Sequence, residues 1–188
     1  MTAAVVLAAG ASTRLGEPKQ LVRLAGETLL ERAVRTAREA GCSPVFVVLG
    51  AEAEQIAEQC DLSDAVVVVN EEWSEGMASS IRVGVGALQD ADGVVLMTCD
   101  QPAVSAAHLR ALMKTGEATA SAYAGRRGVP VYLPVALFAR LLQLRGDVGA
   151  RELLRGVEAV EAVELANGEL DVDTAEDLER LDSCRGLL

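Results

Sequence analysis

The sequence predicts one α/β domain built on a mostly parallel sheet. Aliphatic runs alternate with amphipathic segments, which predicts strands over 3–9, 44–49 and 65–69 and helices over 28–41 and 53–60. This βαβαβ order favours parallel strands joined by right-handed crossovers. Hydrophobic residues make up 51% and aromatic residues 3% of the chain, so the core must be aliphatic, as in a sheet covered on both faces. The length of 188 residues suits a single domain over 1–188.

The second half of the chain continues with the same kinds of segment. Strands are predicted over 93–98, 118–123 and 131–133, helices over 79–88, 106–114 and 135–144, and an edge strand over 157–165. Thr28 and Glu31 form a capping box at the first helix. In the helix over 106–114, Leu109, Leu112 and Met113 define the apolar face, so we expect His108 to point toward solvent.

The formal net charge of −11 argues against two classes of partner, because nucleic acids and anionic membranes both require a basic surface. No apolar stretch reaches transmembrane length, and no basic segment precedes a hydrophobic one at the N-terminus. We therefore expect a cytoplasmic location. The cysteines include no C-x-x-C pair, which indicates reduced thiols at Cys42, Cys60, Cys99 and Cys184.

The first strand runs directly into a loop of small and basic residues. Gly10 and Gly16 allow a sharp turn and close approach to a bulky anion, and successive N–H groups in such a loop can bind phosphate oxygens. Arg14 can bind phosphate through its guanidinium fork, and Lys19 adds a mobile charge. Walker A and G-x-G-x-x-G do not match here. The loop therefore suits a triphosphate, although an ordinary connection with solvated basic side chains would have the same composition.

A second polar break, over 70–80, precedes a predicted helix. Ser79 and Ser80 are candidates for the helix N-cap, and Gly76 permits close approach of the backbone to a ligand. A capped helix without a ligand explains these residues equally well. Trp73, the single tryptophan, is interpreted as a packing residue in preference to a base-stacking one.

Asp100 is a candidate metal ligand. It follows the strand over 93–98, and ligands of open α/β sheets bind in the crevice at the carboxyl ends of the strands. Carboxylate oxygens suit Mg²⁺, which usually takes one or two carboxylates together with substrate phosphates. The alternative is a turn-forming Asp ahead of Pro102.

A second acidic segment lies near the C-terminus. Residues 170–178 read L-D-V-D-T-A-E-D-L, and period-two alternation puts Asp171 and Asp173 on one face. Helix capping explains the same residues without a metal, either through Thr174 with Asp177 or through Asp173 with Glu176. On local grounds capping is favoured.

The motifs together resemble those of a known family. L-A-A-G-A-S-T-R-L-G-E-P-K, over 7–19, resembles the signature of the MobA-like nucleotidyltransferase superfamily. Its MocA-type branch, which transfers cytidylyl groups, is similar in G-M-A-S-S, C-D-Q-P, G-x-x-G-x-P, G-D-x-G-A-R and D-V-D-T-A-E-D, found here at 76–80, 99–102, 125–130, 146–151 and 171–177. The resemblance spans nearly the whole chain, with the motifs in the family order.

The resemblance implies a three-layer α/β/α fold with a Rossmann-like sheet of the nucleotide-diphospho-sugar transferase type. It implies transfer of CMP from CTP to a phosphorylated acceptor, which in the family is molybdopterin, with Mg²⁺ or alternatively Mn²⁺. Lys19 and Arg14 would be catalytic, and Asp100 and Asp173 would bind the metal, with Asp171 a weaker candidate. The implied nucleotide-binding residues are Leu7, Ala8, Ala9, Gly10, Arg14, Lys19, Gly76, Ser79 and Ser80, and those on the acceptor side are Gly128, Pro130 and Asp147.

Some positions depart from the family pattern. Val129 stands where many members have His, which removes a polar side chain from the acceptor side, and Ala175 replaces a Pro at the helix start. Ala9 stands where the guanylyl branch usually has Gly, and this difference favours CTP over GTP. The alternatives are GTP or a sugar or polyol phosphate acceptor, a nicotinamide-dependent oxidoreductase and a non-catalytic nucleotide sensor.

Overall fold

The computed structural model describes residues 1–149, 154–157 and 160–183. Cys184 and the last two residues of the G-D-x-G-A-R motif, Ala150 and Arg151, lie outside the described residues. The strands are β1 (Thr2–Ala8), β2 (Arg23–Leu24), β3 (Glu27–Thr28), β4 (Val45–Leu49), β5 (Val66–Val69), β6 (Gly93–Thr98), β7 (Thr119–Tyr123), β8 (Arg126–Pro134) and β9 (Glu161–Glu164). The helices are α1 (Leu29–Glu39), α2 (Ala53–Gln59), α3 (Met77–Gly86), α4 (Ala106–Met113), α5 (Phe138–Leu141) and α6 (Ala175–Ser183). Short 3₁₀ helices cover Lys19–Leu21, Trp73–Glu75 and Val135–Leu137.

The main sheet has the strand order β5-β4-β1-β6-β8-β7-β9, and β2 pairs with β3 in a separate hairpin. β1 is parallel to both β4 and β6, β4 is parallel to β5, and β9 is parallel to β7. β8 runs antiparallel to β6 and β7. The prediction of a mostly parallel sheet is confirmed. Since β1 and β6 are adjacent and parallel, the segments that follow them emerge at the same edge of the sheet.

Successive side chains of β1 point to opposite faces of the sheet, as its pleat requires. Ala4, Val6 and Ala8 pack beneath α1, α2 and α4. Val5 and Leu7 face the other side of the sheet and pack beneath α3 and α5. A Cβ at Gly84 of α3 would lie 2.5 Å from Val5 Cγ1, so only glycine allows this helix to pack so closely on the sheet. The result is a three-layer arrangement.

The capping box at the start of α1 is confirmed. Thr28 Oγ1 accepts a hydrogen bond from Glu31 N at 3.1 Å, and Glu31 Oε2 accepts one from Thr28 N at 2.7 Å. The two side chains thereby satisfy backbone donors that the first helical turn leaves unpaired.

Two local predictions are wrong. α3 begins at Met77, with Gly76 as its N-cap and no side-chain capping bond, so neither Ser79 nor Ser80 caps the helix. The sequence predicted no strand over 125–130, between the strands over 118–123 and 131–133, yet most of this segment belongs to β8. Ala124 and Gly125 have φ angles of 48° and 70°, a pair of positive values that closes a tight hairpin and leaves no room for a longer loop.

His108 is buried, which contradicts the expectation of solvent exposure. The residue is 8% exposed, and Nε2 lies 2.8 Å from Ser121 Oγ on β7. His108 and Leu112 are four residues apart and therefore share a helix face. The apolar face of α4 is wider than its leucines alone suggest.

No helix in the described part of the chain is both long and apolar enough to span a membrane. Cys42, Cys60 and Cys99 are free thiols in the interior.

Candidate functional site

The loop after β1 is held in shape by Ser12, whose φ is 51°. Ser12 O accepts hydrogen bonds from Leu15 N at 3.0 Å and Gly16 N at 3.2 Å, and Ser12 Oγ accepts one from Lys19 N at 3.0 Å. Gly16 completes the turn with a φ of 83°, a value that glycine adopts without strain. These bonds fix the backbone at the position from which the Lys19 side chain extends.

Gln20 braces the same loop from inside. It is fully buried, and its Nε2 donates to Ala8 O at 2.7 Å and to Gly10 O at 3.1 Å. Its Oε1 is buried and has no hydrogen-bond partner within the described residues. Sequence analysis missed Gln20, because an amide next to a lysine in a polar loop resembles a solvated residue.

Gly10 leaves space beside the backbone. A Cβ at this position would meet no atom within 4 Å, so the protein itself does not require glycine there for packing. Gly10 is also one of the residues that line the cleft. A bound group can therefore come within van der Waals contact of the backbone.

Lys19 lies between two carboxylates. Its Nζ is 2.5 Å from Asp100 Oδ2 and 2.7 Å from Asp173 Oδ1. Arg14 joins the cluster through a 2.9 Å contact of its NH2 with Asp173 Oδ2. Two acidic and two basic side chains from distant parts of the chain thus meet at the carboxyl edge of the sheet, where ligands of α/β proteins bind.

Backbone pairing explains why Asp100 and Asp173 converge. Asp100 follows β6, and Val172 N donates to Asp100 O at 3.0 Å. Val172 is fully buried against Leu24 and Leu29. The apolar residue of the D-V-D segment anchors it, and the adjacent Asp173 consequently faces Lys19.

Burial alone would lower the pKa of Lys19, but Asp100 and Asp173 raise it above its ordinary value. The ammonium is therefore charged throughout the physiological range. Burial, together with the nearby Asp100 carboxylate, raises the pKa of Asp171 to about 6, and its Oδ1 has no described hydrogen-bond partner. Unlike Asp100 and Asp173, Asp171 forms no ion pair with Lys19 among the described residues.

The cap of α6 is formed by Thr174 and Asp177. Asp177 Oδ2 accepts from Thr174 N at 2.9 Å and from Thr174 Oγ1 at 2.8 Å, and Asp177 N donates to Thr174 Oγ1 at 3.3 Å. The Asp173 carboxylate instead contacts Lys19 and Arg14. The prediction that Asp173 and Glu176 cap this helix is therefore wrong, so helix capping does not explain the position of the Asp173 carboxylate.

A cleft of about 340 Å³ opens beside this cluster. Its lining residues are Leu7, Ala8, Ala9, Gly10, Ala11, Lys19, Gln20, Trp73, Ser74, Gly76, Met77, Ser80, Thr98, Asp100 and Asp147. Most of the predicted nucleotide-binding residues thus line this one cleft. Arg14 and Asp173 adjoin the cleft through Lys19.

Three predicted site residues lie elsewhere. Ser79 is buried and does not line the cleft, and its Oγ donates to Gly76 O at 2.8 Å. Gly128 and Pro130 are built into β8, where Pro130 O accepts from Ser121 Oγ at 2.7 Å. Of the acceptor-side residues, Asp147 alone is among those that line the cleft.

The segment carrying Asp147 is held against the start of α3. Arg82 bonds Glu75 with both guanidinium nitrogens, at 2.9 and 2.6 Å, and Glu75 Oε1 accepts from Gly146 N at 3.1 Å. Arg82 and then the Gly146 amide lower the pKa of Glu75 to about 2. A Cβ at Gly76 would lie 2.7 Å from Gly146 O, so this glycine allows the two segments to touch.

Trp73 and Cys99 have different surroundings. Trp73 lines the cleft, is 37% exposed and packs over Gly50, so it has a packing role and also borders the ligand space. Burial raises the pKa of the Cys99 thiol to about 12. A neutral buried thiol is a poor nucleophile.

Residues 4–163 match the model of the MobA-like NTP transferase domain. The chain belongs to the MobA-like NTP transferase family. The family carries the nucleotidyltransferase class of activity that the motifs predicted, and the predicted fold of the nucleotide-diphospho-sugar transferase type is confirmed.

Several relatives resemble this MobA-like chain over nearly its full length. It is 35% identical to nicotine blue oxidoreductase of Paenarthrobacter nicotinovorans, over 94% of both chains. The solved structure of Rv0371c from Mycobacterium tuberculosis, in complex with manganese, is 35% identical with a TM-score of 0.82, over 96% of this chain and 97% of that one. A nucleotidyl transferase from Methanothermobacter thermautotroptrophicus is 29% identical with a TM-score of 0.84, over 98% and 97%.

Proposed function

We propose that this MobA-like protein transfers CMP from CTP to a phosphorylated acceptor and releases pyrophosphate. The proposed acceptor is molybdopterin, because the G-M-A-S-S, C-D-Q-P and D-V-D-T segments resemble those of the MocA-type branch. The observation that carries the proposal is the position of Lys19 between Asp100 and Asp173, at 2.5 and 2.7 Å, on the edge of the cleft.

The two aspartates fit a divalent cation. Both carboxylates are directed at one point, where they already hold the positive charge of Lys19. Their side chains are 12% and 32% exposed, so both are accessible to a cation, and Asp100 also lines the cleft. Hard oxygen donors of this kind suit Mg²⁺ or Mn²⁺, with phosphate oxygens completing the coordination. A relative solved with manganese supports this assignment.

The proposed reaction needs no covalent bond between the protein and either substrate. An ionised oxygen of the acceptor phosphate forms a bond to the α-phosphorus of CTP, and the bond from that phosphorus to the bridging oxygen breaks. Pyrophosphate leaves with the bonding electrons, so no general base is required. A divalent cation held by Asp100 and Asp173 would supply neutralisation of charge on the phosphates.

Lys19 and Arg14 supply the positive charge that the chain itself contributes. In the proposed reaction the Lys19 ammonium stabilises the negative charge that develops on the α-phosphate, and Arg14 that on the leaving pyrophosphate. Ser12 and Gln20 hold the loop that carries them, so the charges are positioned before the substrate binds.

The nucleoside would lie between Leu7–Gly10 on one wall and the segment over 76–80 on the other. Ala8 and Ala9 carry only a methyl group and Gly10 has no side chain, so their backbone is accessible for hydrogen bonds with the base and ribose. Asp147, at the mouth of the cleft, is the proposed residue on the acceptor side. Gly128 and Pro130 would contribute only through the shape of β8.

A second candidate function is oxidation or reduction with a nicotinamide cofactor. It is favoured by one observation, the name of the 35% identical relative, nicotine blue oxidoreductase. The paired Lys19 and Arg14 beside two aspartates fit triphosphate chemistry better than hydride transfer, for which the chain offers no G-x-G-x-x-G loop.

One experiment separates the candidates. Calorimetry with Mg²⁺ should give tighter binding of CTP than of GTP, ATP or NADH. Incubation with CTP, Mg²⁺ and molybdopterin should then release pyrophosphate and yield a product heavier by one CMP, detected by mass spectrometry. Tighter binding of NADH than of CTP would sink the transferase assignment.

A further inference from the structure

Asn70 connects the sheet to the wall of the cleft. It directly follows β5, is 2% exposed, and its backbone N–H donates to Leu49 O at 2.8 Å. This bond continues the pairing of β5 with β4. The sheet therefore fixes the position from which the Asn70 side chain reaches toward α3.

The orientation of the Asn70 amide is determined by its partners. Oδ1 accepts from the backbone N–H of Glu72 at 3.0 Å, which only the oxygen of the amide can do. Nδ2 consequently faces α3, where it donates to Ser79 Oγ at 2.8 Å and to Ser80 Oγ at 3.0 Å. An amide nitrogen carries two hydrogens and accepts none, so neither serine can donate its proton to Asn70.

The two serine hydroxyls differ in what they do with their own protons. Ser79 Oγ donates to carbonyl oxygens of the chain, with Gly76 O at 2.8 Å and Glu72 O at 3.0 Å. Ser80 Oγ has Asn70 as its hydrogen-bond partner, and the described residues provide no acceptor for its proton. Ser80 lines the cleft, so its hydroxyl is free to donate into the ligand space.

We propose that Asn70 is a positioning residue that fixes Ser80 as a hydrogen-bond donor toward the nucleobase. This inference rests on the proposed binding of CTP in the cleft. Cytosine offers a carbonyl oxygen and a ring nitrogen as acceptors, and the hydroxyl of Ser80 is set to meet one of them. Asn70 itself does not touch the nucleotide and acts through Ser80.

Asn70→Asp is the sharpest test, because it changes one atom type and almost no volume. The carboxylate can still accept from the Glu72 amide, but its second oxygen accepts from Ser79 and Ser80 where the amide donated. The proton of Ser80 is then drawn away from the cleft. Loss of one hydrogen bond to the base should weaken CTP binding by about tenfold.

Two controls separate this effect from the added negative charge, which repels any triphosphate. The first is ribose 5-triphosphate, which has no base and reports only the charge. The second is a double-mutant cycle with Ser80→Ala, measured by calorimetry with CTP. Thermal melts check the fold, and Asn70→Ala, which frees the hydroxyl without adding charge, repeats the cycle if the aspartate variant melts early.

The expected result is that Asn70→Asp weakens CTP binding more than ribose triphosphate binding, and that this excess disappears in the Ser80→Ala background. An equal loss for both ligands, or the same loss with and without the Ser80 hydroxyl, would overturn the role of Asn70 while leaving CTP binding and transfer intact. If Ser80→Ala leaves CTP affinity unchanged, the inference is also overturned. Failure of the wild-type protein to bind CTP would instead overturn the proposed function and the inference together.

Discussion

The Lys19 ammonium lies 2.5 Å from the Asp100 carboxylate, although the two residues are 81 positions apart in the chain. The parallel pairing of β1 with β6 closes this distance, since Leu7 lies opposite Thr98 at the last paired position. The segments that follow both strands must then emerge side by side. A basic loop and an acidic strand end become one charged cluster through strand order alone.

Lys19→Ala should lower turnover by about two orders of magnitude or more, the usual scale for removing one preorganised charge contact in a transition state. The fold should survive, because Arg14 still pairs with Asp173 and because Asp100, which loses its partner, lines the open cleft. Steady-state turnover with CTP, beside thermal melts, measures both effects. The exposed Lys114, at the end of α4, provides the matched control, and Lys114→Ala should behave as wild type. Near-normal turnover of Lys19→Ala would mean that the lysine is only a structural partner of the two aspartates.

Asp173 and Asp177 lie four positions apart and should give opposite phenotypes. Asp173→Asn should abolish Mg²⁺-dependent turnover with little change in stability. Asp177→Ala removes the cap of α6 and should reduce the free energy of unfolding by about 1 kcal/mol without changing turnover of the folded protein. Turnover against Mg²⁺ concentration and urea unfolding of both variants provide the comparison. An active Asp173→Asn protein with normal Mg²⁺ dependence would remove Asp173 from the site.

Much of this site could be predicted from the sequence, because the loop after β1 and the acidic strand end after β6 are local patterns. Gly10, Lys19 and Asp100 each stand where an apolar run gives way to small or charged residues. What local patterns do not provide is which strands are neighbours. The convergence of Asp173 on Lys19 depends on Val172 pairing with Asp100, a contact between segments distant in the chain.

The residues that sequence analysis missed are buried amides. Gln20 and Asn70 hold the two walls of the cleft through backbone and hydroxyl groups, yet both stand in polar segments where a solvated side chain is the ordinary expectation. His108 was misplaced for a related reason. The apolar face of α4 is defined by leucine spacing, and this spacing does not indicate that the His108 ring also lies on the buried side, where Ser121 Oγ is its hydrogen-bond partner.

Two glycines allow stability and ligand binding to be separated. Gly10→Ala should leave the melting temperature unchanged, because the new Cβ meets no protein atom within 4 Å. It should weaken CTP binding, since the methyl group enters the cleft. Gly84→Ala should do the reverse and destabilise the fold by about 1–3 kcal/mol through overpacking against Val5. Calorimetry measures the CTP affinity of the two variants, and thermal melts measure their stability. Unchanged CTP affinity of Gly10→Ala would contradict the proposal that Leu7–Gly10 form one wall of the nucleoside site.

The buried His108 should make stability depend on pH. Burial lowers the pKa of this imidazole below its usual 6.5, so the folded protein takes up the proton less readily than the unfolded chain does. Above pH 6.5 the ring is neutral in both states and its contribution to stability is fully present. As the pH falls through 6.5 toward the lower folded pKa, the unfolded chain is protonated first, and the free energy of unfolding decreases.

His108→Gln isolates this effect, because the glutamine amide can still donate to Ser121 Oγ but does not titrate. His108 lines a surface pocket whose charged residues, among them Arg32, Arg35, Glu39 and Glu164, are present in both proteins and cancel in the comparison. Urea unfolding at about pH 7.5 and about pH 5.5 should show a larger loss of stability for the wild type than for the variant. Equal losses in the two proteins would mean that the folded and unfolded chains bind the His108 proton equally well, so that burial does not lower the pKa of this ring.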